Sequence, residues 1–172
     1  MKLNSKRTIL VGLAFLSICA FWQMYDSIVP LILTKTFHMN ETFSGAIMAA
    51  DNILALFLLP FFGSVSDKSH TKIGKRMPFI LFGTGCAIIL MNILPLLDNS
   101  YAAQPSGFKT ASFVIVLGLL LVAMGTYRAP AVALMPDVTP KPLRSRANAI
   151  INLMGAVGGI LYLGVAAVLY PN

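Results

Sequence analysis

Charge is what this sequence has least of. Asp, Glu, Lys and Arg make up 11% of its 172 residues, and only six of them are acids. An ordinary soluble domain carries about 25% charged residues. A water-facing surface cannot be built from so little charge, so the solvent for most of this chain is lipid. The net charge of +7 therefore reads differently from that of a basic soluble protein. There are too few polar residues for a nucleic-acid surface, and the bias fits membrane orientation instead. Cysteine is nearly absent too. Cys19 and Cys86 both lie inside apolar runs and read as inert packing residues, which excludes a disulfide framework, and no metal-ligand spacing surrounds them. A glycine-rich phosphate loop and a nucleophile–base pair are also missing, so no enzyme and no cofactor is expected. His38 and His70 fall in connections without ligand partners at useful spacing.

What the chain does have is apolar residues, 57% of the total. They gather into five runs at about residues 8–33, 43–65, 78–97, 111–135 and 147–170. Each is near the ~20 residues that a spanning helix needs. Backbone groups in lipid must be satisfied internally, and barrel-like alternation is absent, so the runs predict helices. The expected fold is an all-α integral membrane protein with five transmembrane helices. The first run follows Lys2, Lys6 and Arg7, as a signal peptide would, but it continues far past the ~7–15 residues of a signal h-region. It reads as a retained membrane helix.

Cations favour the cytoplasmic side of a membrane. Lys2, Lys6 and Arg7 precede the first run; Lys68, Lys72, Lys75 and Arg76 lie between the second and third; Lys141, Arg144 and Arg146 lie between the fourth and fifth. The other two connections hold only Lys35 and Lys109. The alternation predicts a cytoplasmic N-terminus and places Pro171-Asn172 outside. Asn40-Glu41-Thr42, on the outer side, matches a glycosylation acceptor and also a helix cap; the cap is the preferred reading.

The stretch GSVSDKSHTKIGKRMPFI, residues 63–80, holds more than orientation demands. Acids contribute little to topology, yet Asp67 is there, and it is expected just beyond the second helix, able to pair with a cation or cap a helix start. Gly63 would let that helix approach a neighbour closely. Gly74 permits a turn that other residues resist, and Pro78 suits the first turn of the third helix.

The order Gly63-x-x-x-Asp67-Lys68…Gly74-Lys75-Arg76 resembles the signature loop between the second and third helices of major facilitator transporters. The six residues between Asp67 and Gly74 exceed the usual spacing. That longer form, with the following Pro78-Phe79, is similar to the sugar–cation symporter branch, the sucrose-type and glycoside–pentoside–hexuronide carriers. Residues 127–155 resemble the same branch through Arg128, Asp137, Thr139-Pro140, Arg144, Arg146, Ala147 and Asn148. The resemblance implies the N-terminal part of a six-helix half-bundle in the plasma membrane. It also implies a cytoplasmic gate in which Gly63, Asp67, Lys68, Gly74, Lys75, Arg76, Arg128, Asp137 and Arg144 take part. The implied function is secondary transport of a sugar with H⁺ or Na⁺ by alternating access. The implied partner is the remaining half of the carrier, since the family fold has two such halves with the site between them. Two rival readings stay open: a half-carrier that dimerises with itself, and a membrane scaffold that transports nothing.

Three ionisable residues, Asp26, Asp51 and Arg128, fall inside the apolar runs. Each costs about 2.5–3.5 kcal/mol at a bilayer centre, so each calls for a partner or a wet path. By helical rise Asp26 lies about 10 Å and Asp51 about 12 Å below the outer ends of their helices. The two can share a layer, and paired acids make a proton or cation site. Arg128, about 25 Å from the outer end, reads as a gate or structural residue. Trp22, Gln23 and Tyr25 around Asp26 suit sugar hydroxyls and C–H faces, or form an interfacial aromatic belt. Asn52 beside Asp51 either lines the same cavity or bonds to a neighbouring helix. On the fifth helix Asn148, Asn152, Gly155, Gly159, Tyr162 and Ala166 form one stripe, read mainly as packing.

Overall fold

The structure is a computed structural model that describes residues 5–169. Lys2, Tyr170, Pro171 and Asn172 lie outside the described residues. The described chain consists of five long helices: α1 (Ser5–Lys35), α2 (Glu41–Lys68), α3 (Met77–Ala103), α4 (Gly107–Val138) and α5 (Arg144–Leu169), with a 3₁₀ turn at Lys141–Leu143. All five are long and apolar enough to cross a membrane. Large apolar side chains such as Leu56, Phe57, Phe82 and Ile160 stand well exposed along them, as lipid permits and water does not.

The helices outrun the apolar segments that predict them. α2 continues through Asp67 and Lys68, so Asp67 stands in its last turn rather than beyond it. α3 ends at Ala103, just before Pro105, and α4 starts at Gly107. Hydropathy marks where the chain leaves oil, whereas a helix ends only where a breaker or a better hydrogen bond stops it. At the start of α2 the Asn40 side chain accepts from the Thr42 N–H at 3.4 Å, so the cap reading of that motif holds in the structure. Pro78 falls in the first turn of α3, where its missing N–H is harmless.

Several polar side chains within the helices bond to their own backbone. Ser27 donates to the Gln23 carbonyl at 2.8 Å, Thr34 to Pro30 at 2.9 Å, Asn92 to Ile88 at 2.8 Å and Thr126 to Val122 at 2.8 Å. Lipid offers no alternative partner.

The chain divides into two compact units, residues 1–28 with 131–172, and residues 29–130. In the first unit α1 lies hard against α5. A Cβ on Gly12 would meet Met154 Sδ at 2.1 Å, one on Gly155 would meet Cys19 Sγ at 2.8 Å, and one on Gly158 would meet the Leu16 carbonyl oxygen at 2.2 Å. Met135, Ala147 and Ile151 form the adjoining buried cluster, with Val11 and Phe15 packed on it. The buried stripe of α5 is thus Ala147, Ile151, Gly155 and Gly158. This corrects the expected stripe: Asn148 and Asn152 are exposed, and the backbone contact is made by Gly158 rather than Gly159.

In the second unit the end of α1 packs with α3 and α4. Phe37 stacks on Tyr101 with centroids 4.2 Å apart and lies 4.6 Å from Phe113. Gly83 lets α3 approach α4, where an added Cβ would meet the Tyr127 amide nitrogen at 2.9 Å. Gly125 faces Leu58 and Phe62 of α2. Gly63 has nothing within 4 Å of an added Cβ, so the close approach expected at Gly63 is not made among the described residues.

Candidate functional site

The most structured polar feature is the elbow between α2 and α3. Arg76, at the start of α3, is buried, and its Nη2 lies 2.7 Å from Asp67 Oδ1. Asp67 itself is about half exposed. The other guanidinium nitrogen, Nη1, donates to Ser66 Oγ at 3.3 Å, and Ser66 donates in turn to the Gly63 carbonyl at 2.8 Å. One arginine, at the N-cap of α3, therefore ties the last turn of α2 to the start of α3 through two neighbouring side chains. Gly74 precedes it at φ 105°, a conformation that glycine reaches without strain.

Sequence reasoning groups four cations around Asp67 without choosing among them. The structure chooses Arg76, the planar donor suited to holding a carboxylate and a hydroxyl at once. Lys68, Lys72 and Lys75 are exposed. Ser66, fully buried, is the member that sequence reasoning missed. Its only signal is a small hydroxyl residue one step before the acid on a helix end.

An ion pair with one exposed member contributes little by attraction alone, but the buried cation is left without its carboxylate if the acid goes. Asp67→Ala is expected to destabilise the elbow by about 1–3 kcal/mol. The check is hydrogen exchange at the α2–α3 junction. Lys68→Ala, which removes an exposed charge, should leave that exchange unchanged.

The elbow between α4 and α5 is held differently. Arg144 Nε donates to the Thr139 carbonyl at 3.3 Å, and buried Thr139 donates to Met135 Sδ at 3.5 Å. Arg144 thus has a local role in closing its own turn. Asp137 is exposed near the end of α4, and Arg128 is partly buried in the last third of that helix.

Of the intramembrane groups, Asp26 is exposed on the α1 portion of the first unit, and Asp51 is partly buried on α2 in the second. Beside Asp26, the Trp22 and Tyr25 rings stand 6.3 Å apart at 47°, with Tyr25 fully buried and Trp22 partly so. Gln23 Oε1 lies 3.8 Å from the Cβ position of Gly159, so Gln23 turns toward α5. Asn52 donates to the Met48 carbonyl of its own helix at 2.9 Å, so of its two readings the bond to a neighbouring helix is not made among the described residues. No group of three or more His, Cys, Asp or Glu able to hold a metal occurs among the described residues.

The profile of the Major Facilitator Superfamily matches residues 11–172. The sucrose transport protein SUC3 of Arabidopsis thaliana is 34% identical over 158 residues, covering 85% of this chain and 26% of that protein. The sucrose transport protein SUT3 of Oryza sativa subsp. indica is 34% identical over 154 residues, covering 81% of this chain and 30% of that protein. A bacterial protein, the putative transporter YdfJ of Escherichia coli, is 34% identical over 92 residues, covering 51% of this chain and 20% of that protein. No solved structure matches. The chain spans roughly a quarter to a third of the length of the curated sucrose relatives it matches. With five membrane-length helices and a family match over nearly all of its length, this chain belongs to the Major Facilitator Superfamily.

Proposed function

We propose that this chain is the N-terminal part of a carrier that moves a sugar or glycoside together with H⁺ or Na⁺ by alternating access. The observation that carries the reading is the 34% identity to plant sucrose transport proteins over more than four-fifths of the chain. In this reading the remainder of the carrier covers the apolar face of α2, where Phe43, Ile53, Leu56, Phe57 and Phe61 are exposed. The N-terminus and the α2–α3 elbow lie on the cytoplasmic side of the plasma membrane.

Each residue has a role in that cycle. Asp51 and Asp26 take up and release the coupling ion, because ionisable residues within spanning segments mark ion pathways. Trp22, Tyr25 and Gln23 offer ring faces and an amide to the solute, and Asn52 flanks Asp51 on α2. The Asp67–Arg76 pair, with Lys68, Lys75, Arg128, Asp137 and Arg144, works as the cytoplasmic gate. The exposed cations contribute ~0–1 kcal/mol each, which suits a gate that must open and close in every cycle, while the Asp67–Arg76 pair, with its cation buried, holds the elbow itself.

The test is uptake of labelled sucrose and other glycosides by proteoliposomes containing the full-length gene product. An inward proton or sodium gradient is expected to drive accumulation above the external concentration. Equal internal and external solute under both gradients would reject the coupled-carrier reading.

A further inference from the structure

The tip of the α2–α3 elbow carries a feature that the gate does not use. Thr71 to Gly74 form a tight turn. The Gly74 N–H donates to the Thr71 carbonyl at 3.0 Å, the Thr71 hydroxyl donates back to the Gly74 carbonyl, and Gly74 adopts φ 105°. The two central positions of this turn are Lys72 and Ile73. Ile73 is 67% exposed, and Lys68, His70, Lys72 and Lys75 around it are exposed as well. The single acid of the stretch is committed to Arg76, so the outward charge of the turn is positive and uncompensated within it.

In water the exposed isoleucine at the tip of this lysine-rich turn has no apolar partner. The helices on either side are long enough to cross the bilayer, which sets the turn at headgroup level. There an apolar tip ringed by cations has both of its partners at hand: phosphate groups for the ammonium ions and the acyl boundary for the isoleucine.

We propose that the Thr71–Gly74 turn is a docking element for anionic lipid. Lys72, outside the gate, binds a headgroup and Ile73 enters the interface; Lys68 and Lys75 add to the binding only while the gate leaves them facing outward. The assignment to the anionic cytoplasmic leaflet rests on the orientation given under the proposed function. Lipid fits the turn better than a protein partner does. Protein interfaces are built around aromatic and arginine anchors and are depleted of lysine, whereas lysines on flexible stems suit a fluid array of headgroups. Each cation near an anionic surface favours it by about fivefold, so three together give on the order of a hundredfold preference that fades with salt.

The experiment uses the whole chain in nanodiscs, with Cys19 and Cys86 replaced by Ser, Ile73→Cys carrying an environment-sensitive dye, and quencher-labelled lipid. Quencher-labelled phosphatidylglycerol is expected to quench the dye more strongly than quencher-labelled phosphatidylcholine at equal content. Lys72→Gln should reduce that preference by about fivefold, and high salt should remove most of it. Lys72 and Ile73 lie outside the proposed gate, so this result does not depend on transport. Equal quenching by the two lipids overturns the proposal. So does quenching that neither high salt nor Lys72→Gln changes, since that marks a contact other than headgroup charge. Circular dichroism of the labelled chain separates either outcome from a failure to fold.

Discussion

Asp51→Asn in the full-length carrier is expected to abolish concentrative uptake of solute while leaving the protein folded and inserted. An acid inside a spanning helix is a burden on insertion, about 2.5–3.5 kcal/mol at the bilayer centre. Asp51 is partly buried on α2, a helix whose most apolar window has no residue buried within the described structure. Asn keeps the shape and a hydrogen-bonding oxygen of the acid, so the protein should still fold and insert. Function should fall, because in the proposed mechanism Asp51 binds the coupling ion. One coupled charge crossing 100 mV supplies about 2.3 kcal/mol, or about fiftyfold accumulation, and that factor is what the variant should lose. The measurement is the steady-state ratio of internal to external solute under an imposed potential and ion gradient. Asp51→Glu, which keeps the carboxylate one methylene further out, should recover part of the ratio. A normal ratio in Asp51→Asn would remove Asp51 from the coupling site. A normal ratio after Asp26→Asn as well would end the intramembrane-acid reading altogether.

Gly158→Val is expected to have the largest effect on stability of any single change on α5. A Cβ at Gly158 would lie 2.2 Å from the Leu16 carbonyl oxygen and 3.0 Å from its carbon. These are backbone atoms, which cannot rotate away as a side-chain end can. To reach ordinary van der Waals separation α1 and α5 must part by about 1 Å or more, and the contacts on either side, at Gly12–Met154 and Gly155–Cys19, would open with them. In lipid no hydrophobic force presses the helices together again, because lipid tails are as apolar as the side chains they replace. Overpacking of this kind costs about 1–3 kcal/mol even where side chains can adjust, and more is expected here. The check is thermal unfolding in detergent followed with a thiol-reactive dye on Cys19 and Cys86, both partly buried. Gly158→Ala should already lower the midpoint. Gly164→Ala, at a glycine with open space around it, should not. Equal midpoints for all three proteins would show that the close α1–α5 contact is not needed.

The elbow shows how far a linear reading reaches. That residues 63–80 form a basic turn with one committed acid, a permissive glycine at 74 and a proline opening the next helix follows from residue chemistry, and the structure has the turn, the positive φ at Gly74 and Pro78 in the first turn of α3. Which cation takes Asp67 does not follow, because Lys68, Lys75 and Arg76 are all within reach along the chain. Burial decides it: Arg76 is 6% exposed and lies between Ser66 and Asp67, while the lysines face out.

The number of helices and their apolar, membrane-spanning character were determined by the sequence alone, because transfer between oil and water depends only on which residues are adjacent along the chain. The rotation of each helix about its axis was decided by tertiary structure. One residue of difference turns a side chain through about 100°, enough to replace Gly159 by Gly158 at the α1 contact and to leave Gly63 facing open space while Gly83 meets α4. That angle is set by steric fit against a neighbouring helix, which no single run of residues contains.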